Sequence, residues 1–229
     1  MTRIKTHIPG FDELIGGGFP QNATILLNGG PGTGKTIFSL QYLYNSVTKD
    51  KKNVIYFTFE EKKRALFEQA AQFGWDLEKL EKQGKFRIIS IGSEDISKNT
   101  MNDVIEIIEN TKATRIVVDS LSTLSFLVPE NTINGRISDS QIKKFLYSFI
   151  TSIKSHSRVT TLFISQKDEE LVSNLASYIC DGVINIEYES LGGDYSRNLT
   201  VRKMRQVKNN EDLHPMEISK EGVVIHNLE

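Results

Sequence analysis

The residues whose chemistry is clearest form one run of eight, residues 29–36, which reads Gly-Gly-Pro-Gly-Thr-Gly-Lys-Thr. This run matches the phosphate-loop pattern of glycine, four residues, glycine, lysine and serine or threonine. Glycines let successive backbone N–H groups converge on phosphate oxygens without clashes between Cβ atoms. We therefore predict a nucleotide-binding loop whose binding residues are Gly30, Pro31, Gly32, Thr33, Gly34, Lys35 and Thr36.

Lys35 and Thr36 have separate roles in such a loop. The lysine is a point charge that reaches the β- and γ-phosphates, and the hydroxyl after it coordinates Mg²⁺. The flanking sequence supports this interpretation, because residues 23–28 predict a buried strand and the apolar residues from Thr36 to Val47 recur at a helical period. A glycine-rich turn without a ligand is the alternative, and the order of strand, loop and helix disfavours it.

Asp119 ends a second apolar strand, residues 115–119. This is the form of a Walker B element, whose aspartate holds Mg²⁺ directly or through water. Apolar strands that end in aspartate are common, so the assignment depends on the complete phosphate loop earlier in the chain. We predict that Asp119 is a magnesium residue together with Thr36.

Two adjacent carboxylates, Glu60 and Glu61, follow the strand 54–59. One of them could polarise a water molecule that attacks the nucleotide. Side-chain alternation along a strand leaves open which of the two points inward. In the alternative interpretation the two acids favour the N-terminus of the next helix through its dipole, and Thr58 helps to cap that helix.

Lys203 and Arg205 lie near the end of a strand far from the phosphate loop in sequence. Alternation places both side chains on one face of that strand. They could form a solvated edge that discourages strand aggregation. They could also supply cations to a nucleotide bound by a neighbouring subunit, as arginine fingers do.

The composition limits the classes of protein that the chain could represent. With 229 residues, 38% of them hydrophobic, residues 1–229 are sufficient for one α/β domain. The 28 basic and 29 acidic side chains nearly cancel, which argues against a dedicated nucleic-acid binder. The single cysteine, Cys180, excludes an internal disulfide and predicts a core thiol. No signal peptide or long apolar span is evident, so we expect no membrane insertion and a cytoplasmic location.

Strands and helices alternate along the chain, which predicts an α/β fold with a mainly parallel sheet. The glycine-rich residues 192–194 leave no room for a crossover helix, so we expect antiparallel strands at the C-terminal end. The longest helix should begin at a capping box of Ser138 and Gln141, and residues 128–136 before it predict an exposed loop. The predicted strands are 24–28, 54–59, 86–91, 115–119, 159–165, 182–188, 197–205, 216–219 and 223–226.

Taken together, these motifs resemble those of the RecA-fold ATPases, and within them the single-domain KaiC-like proteins common in archaea. The resemblance extends from about Ile8 to the end of the chain. The segments that carry it, in the family's order and approximate spacing, are residues 8–14, 16–18, 29–36, 58–61, 118–120 and 203–205.

The resemblance implies a hexameric ring that binds ATP and Mg²⁺ between subunits. It makes Glu60 and Glu61 the catalytic pair in cis, and Lys203 and Arg205 cations that reach the γ-phosphate in trans. Gln166, at the end of a strand, occupies a position similar to that of the γ-phosphate sensor of RecA relatives; a polar strand terminus is the alternative. Such an enzyme would hydrolyse ATP slowly.

The chain also departs from the family pattern. Gln206 and Asn209 stand where the family usually has a glycine and a histidine that faces the neighbour's nucleotide. Ser177 and Tyr178 align with the serine and threonine that become phosphorylated in the clock protein KaiC. Autokinase activity at Ser177 is therefore a hypothesis, and the absence of phosphate there after incubation with Mg-ATP would remove it.

Two other functions are compatible with the same motifs. One is an ATP-gated regulatory or assembly module without hydrolysis, resembling FlaH of the archaellum motor, in which ATP controls the docking of an unknown protein partner. The other is a recombination accessory protein similar to RadA paralogues, which would bind single-stranded DNA through residues 128–136. The near-neutral charge disfavours the DNA-binding function.

Overall fold

Alternating strands and helices build a layered α/β structure around the phosphate loop. The computed structural model describes residues 2–92, 100–126, 138–156, 158–188 and 196–227. The strands are β1 (Arg3–Ile4), β2 (Phe19–Pro20), β3 (Thr24–Gly29), β4 (Val54–Thr58), β5 (Phe86–Ser90), β6 (Arg115–Asp119), β7 (Thr160–Gln166), β8 (Gly182–Tyr188), β9 (Arg197–Met204), β10 (His214–Ser219) and β11 (Gly222–Ile225). The helices are α1 (Phe11–Leu14), α2 (Lys35–Thr48), α3 (Lys63–Ala71), α4 (Leu77–Lys82), α5 (Thr100–Thr111), α6 (Leu121–Phe126), α7 (Asp139–His156) and α8 (Glu170–Ile179).

Within the described residues, nine strands form one sheet in the order β11-β10-β9-β8-β3-β7-β6-β4-β5. The six strands from β8 to β5 in this order run parallel. The strands β9, β10 and β11 extend the sheet in antiparallel fashion. The predicted α/β class and the antiparallel C-terminal end are therefore confirmed. The predicted turn at residues 192–194 lies outside the described residues.

Two hydrophobic layers cover the two faces of the sheet. On β3, Ile25 and Leu27 pack on the side of α2, whereas Leu26 packs on the side of α7 and α8. Because neighbouring side chains alternate between the faces, a strand buried on both sides reads as a continuous apolar run. Cys180 is fully buried in the layer under α7 and α8, as predicted for a core thiol.

The capping box predicted for the longest helix is present at the start of α7. The backbone N–H of Gln141 donates to Ser138 Oγ at 3.4 Å, and the backbone N–H of Ser138 donates to Gln141 Oε1 at 2.9 Å. Phe149 and Ile153 on this helix are buried and Phe145 packs against the same cluster, so these three side chains serve packing. The predicted loop at residues 128–136 lies outside the described residues.

The parallel register brings the predicted site residues to one edge of the sheet. Gly29 on β3 is paired with Gln166 on β7, and Thr58 on β4 is paired with Asp119 on β6. These residues end their strands, and the carboxyl ends of parallel strands meet at the same edge. The phosphate loop, the glutamate pair and the Walker B aspartate therefore converge there.

Candidate nucleotide-binding site

The phosphate loop connects β3 to α2 in a conformation that requires glycine. Gly32 and Gly34 have φ values of 74° and 102°, in the left-handed region that favours glycine. A Cβ atom on Gly34 would lie 2.9 Å from Ile218 and 3.0 Å from Met216. Gly34 is also the N-cap of α2, and it has no side chain that could satisfy the first N–H groups of the helix. The amides at this end of α2 therefore form an anion-binding cradle.

Lys35 extends back along the loop. Its Nζ donates hydrogen bonds to the carbonyl oxygens of Gly29 at 2.8 Å and Gly30 at 2.7 Å. Burial lowers the pKa of Lys35, and the negative charges of Asp119, Glu60 and Asp168 oppose that shift. The ammonium group is thus held by the loop carbonyls, within the electrostatic influence of the acidic residues at the ends of β4, β6 and β7.

Tyr56 joins the two predicted magnesium residues. Its side chain is fully buried, and its hydroxyl donates to Asp119 Oδ2 at 2.5 Å. Thr36 also hydrogen-bonds to the Tyr56 hydroxyl. A threonine hydroxyl and a carboxylate that meet at one phenol group are oxygen donors of the kind that Mg²⁺ takes. Sequence reasoning did not assign Tyr56 a role; its signal was its place two residues before Thr58 on a strand that ends at the site.

The electrostatic environment of Asp119 is set by burial. Burial raises the pKa of Asp119 to about 7, and the charges of Glu60 and Glu61 add to the rise. The hydrogen bond from Tyr56 and the charge of Lys35 act in the opposite direction. A buried carboxylate of this kind is stabilised by a nearby cation.

No cluster of three or more His, Cys, Asp or Glu side chains in the described part of the chain is arranged to hold a metal. Mg²⁺ at phosphate-transfer sites is held by one or two carboxylates together with waters and substrate phosphates. Thr36 and Asp119 are compatible with that mode of binding.

Glu60 and Glu61 contact different neighbours. Glu60 is exposed, and its Oε1 accepts hydrogen bonds from the hydroxyls of Ser120 and Thr123, the latter at 2.7 Å. Glu61 turns toward α3, where Gln69 Nε2 donates to its Oε2 at 2.5 Å. Glu60 therefore faces the end of β6 and the Walker B aspartate.

Residues 58–61 do not cap helix α3, which was the alternative interpretation of this segment. Thr58 Oγ1 accepts the backbone amides of Glu60 at 3.3 Å and Glu61 at 2.9 Å, so it organises the turn after β4. The N-cap of α3 is Lys62, which makes no side-chain capping hydrogen bond, and the first turn of α3 carries no acidic residue. The turn thus presents the two glutamates instead of initiating a helix.

The end of β7 adds residues that sequence reasoning did not select. The backbone N–H of Gln166 donates to Ser122 Oγ at 2.9 Å, and Ser122 also hydrogen-bonds to Glu169. Burial raises the pKa of Glu169, and the charge of Glu60 adds to the rise.

Gln166 itself lies beside Gly29, at the start of the phosphate loop. The position of Gln166 agrees with the sensor hypothesis, which stays a prediction. The missed signal was that Asp168 and Glu169 come two and three residues after the end of a parallel strand.

Lys203 and Arg205 lie beside the amino ends of the parallel strands, whereas the phosphate loop lies at their carboxyl ends. Met204, between them, is paired with Gly182, the first residue of β8. Lys203 Nζ donates to carbonyl oxygens at the C-terminal end of α8, including that of Cys180 at 2.6 Å. The two cations therefore do not act on the nucleotide site of their own chain, and their action in trans stays a prediction.

Gln206 and Asn209, which depart from the family pattern, each make a hydrogen bond within this chain. Asn209 Nδ2 donates to the Val201 carbonyl oxygen at 2.7 Å, and the Gln206 carbonyl oxygen accepts from Arg3 at 3.1 Å. Ser177 lies in the last turns of α8, and its carbonyl oxygen accepts from Lys203 at 2.9 Å. Autophosphorylation of Ser177 stays a hypothesis.

Asp181 anchors the edge of the sheet that carries Arg205. Its carboxylate accepts from Lys154 at 2.6 Å, from Arg205 at 3.2 Å and from the Thr24 amide at 3.1 Å. Burial by itself raises the pKa of Asp181, but the hydrogen bonds from Lys154 and Thr24 outweigh burial and hold the pKa below its ordinary value.

Replacing Asp181 with asparagine should destabilise the fold by about 1–3 kcal/mol at neutral pH, because two cations lose their anion. A carboxylate whose pKa is lowered by folding stabilises the native state above its unfolded pKa of about 4, and this contribution is lost as the pH falls through the folded value. The difference in melting temperature between wild type and D181N should therefore narrow below about pH 4. The exposed-site variant D212N is the control, and a difference independent of pH would contradict the assignment.

With this geometry in place, comparisons with known proteins decide the family. A family profile described as "ATPase: KaiC" matches residues 4–229. The chain belongs to the KaiC family of ATPases. Members of this family are nucleotide-binding ATPases of the RecA superfamily.

Similar proteins occur in an archaeon and in a bacterium. The chain is 34% identical over 245 residues to the UPF0273 protein MJ1359 of Methanocaldococcus jannaschii, a match that covers 99% of this chain and 97% of that protein. It is 32% identical over 243 residues to a UPF0273 protein of Thermotoga maritima, with 98% and 96% covered. Both matches span almost the whole chain.

A solved structure confirms the RecA-like fold of this KaiC-family chain. The KaiC-like protein PH0186 from Pyrococcus horikoshii OT3 superposes with a TM-score of 0.85 and is 31% identical, with 99% of each chain covered. Among the helices that the structure describes, none combines the length and the apolar content needed to cross a bilayer.

Proposed function

We propose that this chain binds Mg-ATP, hydrolyses it slowly, and works in the cytoplasm as a homo-oligomer, a hexameric ring, whose nucleotide state regulates or assembles a protein partner. The observation that carries the proposal is the convergence of four side chains at one sheet edge: Lys35, Thr36, Asp119 and Glu60. Lys35 is electrostatically coupled to both Asp119 and Glu60, and Thr36 meets Asp119 through Tyr56. This is the set of groups that phosphoryl transfer to water requires.

Glu60 would orient and polarise the attacking water. Two hydroxyls, those of Ser120 and Thr123, fix its Oε1, while the residue itself remains exposed at the site. Lys35 would offset charge on the transferred phosphoryl group. Thr36 and Asp119 would hold Mg²⁺, which when bound neutralises charge on the β- and γ-phosphate oxygens.

The charge balance of one subunit supports a shared site. The negative charges of Asp119, Glu60 and Asp168, at or just beyond the ends of β6, β4 and β7, act on Lys35. Phosphoryl transfer builds further negative charge there, so added cations would accelerate it. Lys203 and Arg205 lie at the opposite edge of the same sheet, and in a ring they would face a neighbour's nucleotide.

The test is ATP turnover together with light-scattering mass, each with and without Mg-ATP. We expect slow turnover from a particle with the mass of a hexamer. Assembly that depends on ATP without turnover would replace the proposal with the regulatory module that only binds ATP. A monomer under both conditions would remove the shared site. The described residues supply no observation that favours DNA binding.

A further inference from the structure

A tyrosine outside every motif considered above is hydrogen-bonded to the phosphate loop. Tyr188 ends β8, and its hydroxyl donates to the Gly32 carbonyl oxygen at 2.7 Å. Arg197, its direct cross-strand partner on β9, donates to the Tyr188 hydroxyl at 2.9 Å. The Arg197 guanidinium also lies 4.9 Å from the centre of the Tyr188 ring. The strands β8 and β9 thus reach the loop through one aromatic side chain.

This contact orients a specific peptide group. The Gly32 carbonyl and the Thr33 N–H belong to the same planar trans peptide and point in opposite directions. The hydrogen bond from Tyr188 to the Gly32 carbonyl therefore also fixes the direction of the Thr33 N–H, which points to the side of the loop away from Tyr188. Gly32 has a φ of 74° and glycine's conformational freedom, so without such a contact this peptide can rotate.

Arg197 directs the proton of Tyr188. A phenol hydroxyl has one proton to donate and lone pairs to accept. Because the guanidinium donates to the oxygen, the single phenolic proton is left for Gly32. The stacking of the guanidinium on the ring adds a cation–π contact, which limits motion of the tyrosine.

We propose that Tyr188 is a positioning residue that preorganises the Thr33 N–H for nucleotide phosphate, and that Arg197 acts through Tyr188. This inference rests on the proposed nucleotide-binding function. Preorganisation increases affinity because the cost of ordering the loop is met before the ligand arrives. The pair would therefore increase nucleotide affinity without touching the nucleotide.

The experiment is calorimetric titration of Mg-ADP into the nucleotide-free protein, for the wild type, Y188F and Y147F. Loss of one hydrogen bond should weaken Mg-ADP binding by about 3- to 10-fold in Y188F. Tyr147 is the matched control, since it is 54% exposed against 53% for Tyr188 and lies on α7. Y147F should bind as the wild type does. Unchanged affinity of Y188F overturns the inference and leaves the proposed function intact, whereas a wild type that does not bind Mg-ADP overturns the proposed function.

Two further measurements separate positioning from a merely structural effect. Without nucleotide, the loop amides of Y188F should exchange with deuterium faster than those of the wild type, at unchanged melting temperature. R197K should weaken Mg-ADP binding in the wild-type background and have no further effect in the Y188F background. Additive losses would contradict the action of Arg197 through Tyr188, and a lower melting temperature with unchanged loop exchange would assign Tyr188 to stability alone.

Discussion

Replacing Glu60 with glutamine should lower the rate of ATP hydrolysis by about 10²- to 10⁴-fold, the range for loss of a general base. The amide keeps the size of the side chain and an oxygen that can accept from Ser120 and Thr123. It cannot take a proton from water. The expected result is therefore a loss of turnover with little change in ATP affinity.

Glu61→Gln is the matched control, because it makes the same chemical change one residue away. Glu61 is held by Gln69 on α3, and burial raises its pKa, with Gln69 acting in the opposite direction. Because the Glu61 carboxylate is hydrogen-bonded to Gln69 and not to the hydroxyls after β6, we expect E61Q to retain turnover within about tenfold of the wild type.

Steady-state hydrolysis and calorimetric ATP affinity should be measured for both variants and for the double variant. Equal losses in E60Q and E61Q would mean that the two carboxylates act as a unit. Full turnover in the double variant would remove the glutamates from the mechanism.

Replacing Lys35 with alanine should weaken binding of Mg-ADP and Mg-ATP by about 30- to 5,000-fold, corresponding to about 2–5 kcal/mol for removal of one partner of a partly buried charge pair. Lys35 is the loop's own cation, and its neighbours Glu60, Asp119 and Asp168 are acidic. Without Lys35 these carboxylates would repel the phosphates.

Lys52→Ala is the control for this substitution. Lys52 is exposed and precedes β4, at the edge of the sheet opposite to the phosphate loop. Nucleotide affinity should be measured by calorimetry and folding by melting temperature without nucleotide, because Lys35 also donates to the loop carbonyls of Gly29 and Gly30. Normal affinity in K35A would contradict the assignment of the loop as a phosphate site.

The elements that hold these residues were predictable because their signals are local. The strand 115–119 was predicted with the bounds that β6 has, and the strand 54–59 ends one residue beyond β4. Buried parallel strands appear as short apolar runs, and the phosphate loop needs glycines at fixed spacing. The capping box at Ser138 likewise lies within four residues of chain.

The site residues that sequence reasoning missed are those whose role comes from distant contacts. Tyr56 is an ordinary strand aromatic until α2 and β6 bring Thr36 and Asp119 to its hydroxyl. Tyr188 contacts Gly32 across 156 positions of sequence. No local pattern marks such a partner, because burial and hydrogen bonding depend on which strands become neighbours.

Local sequence was thus sufficient to predict the parallel sheet and to place residues 29–36, Glu60, Glu61 and Asp119 at the carboxyl ends of its strands, whereas their roles in nucleotide chemistry stay predictions. The folded chain alone decided that Glu60 and not Glu61 faces the end of β6, and that Lys203 and Arg205 lie across the sheet from their own loop. The physical reason is that spacing along the chain sets which edge a side chain reaches, whereas strand order and register set what it meets there.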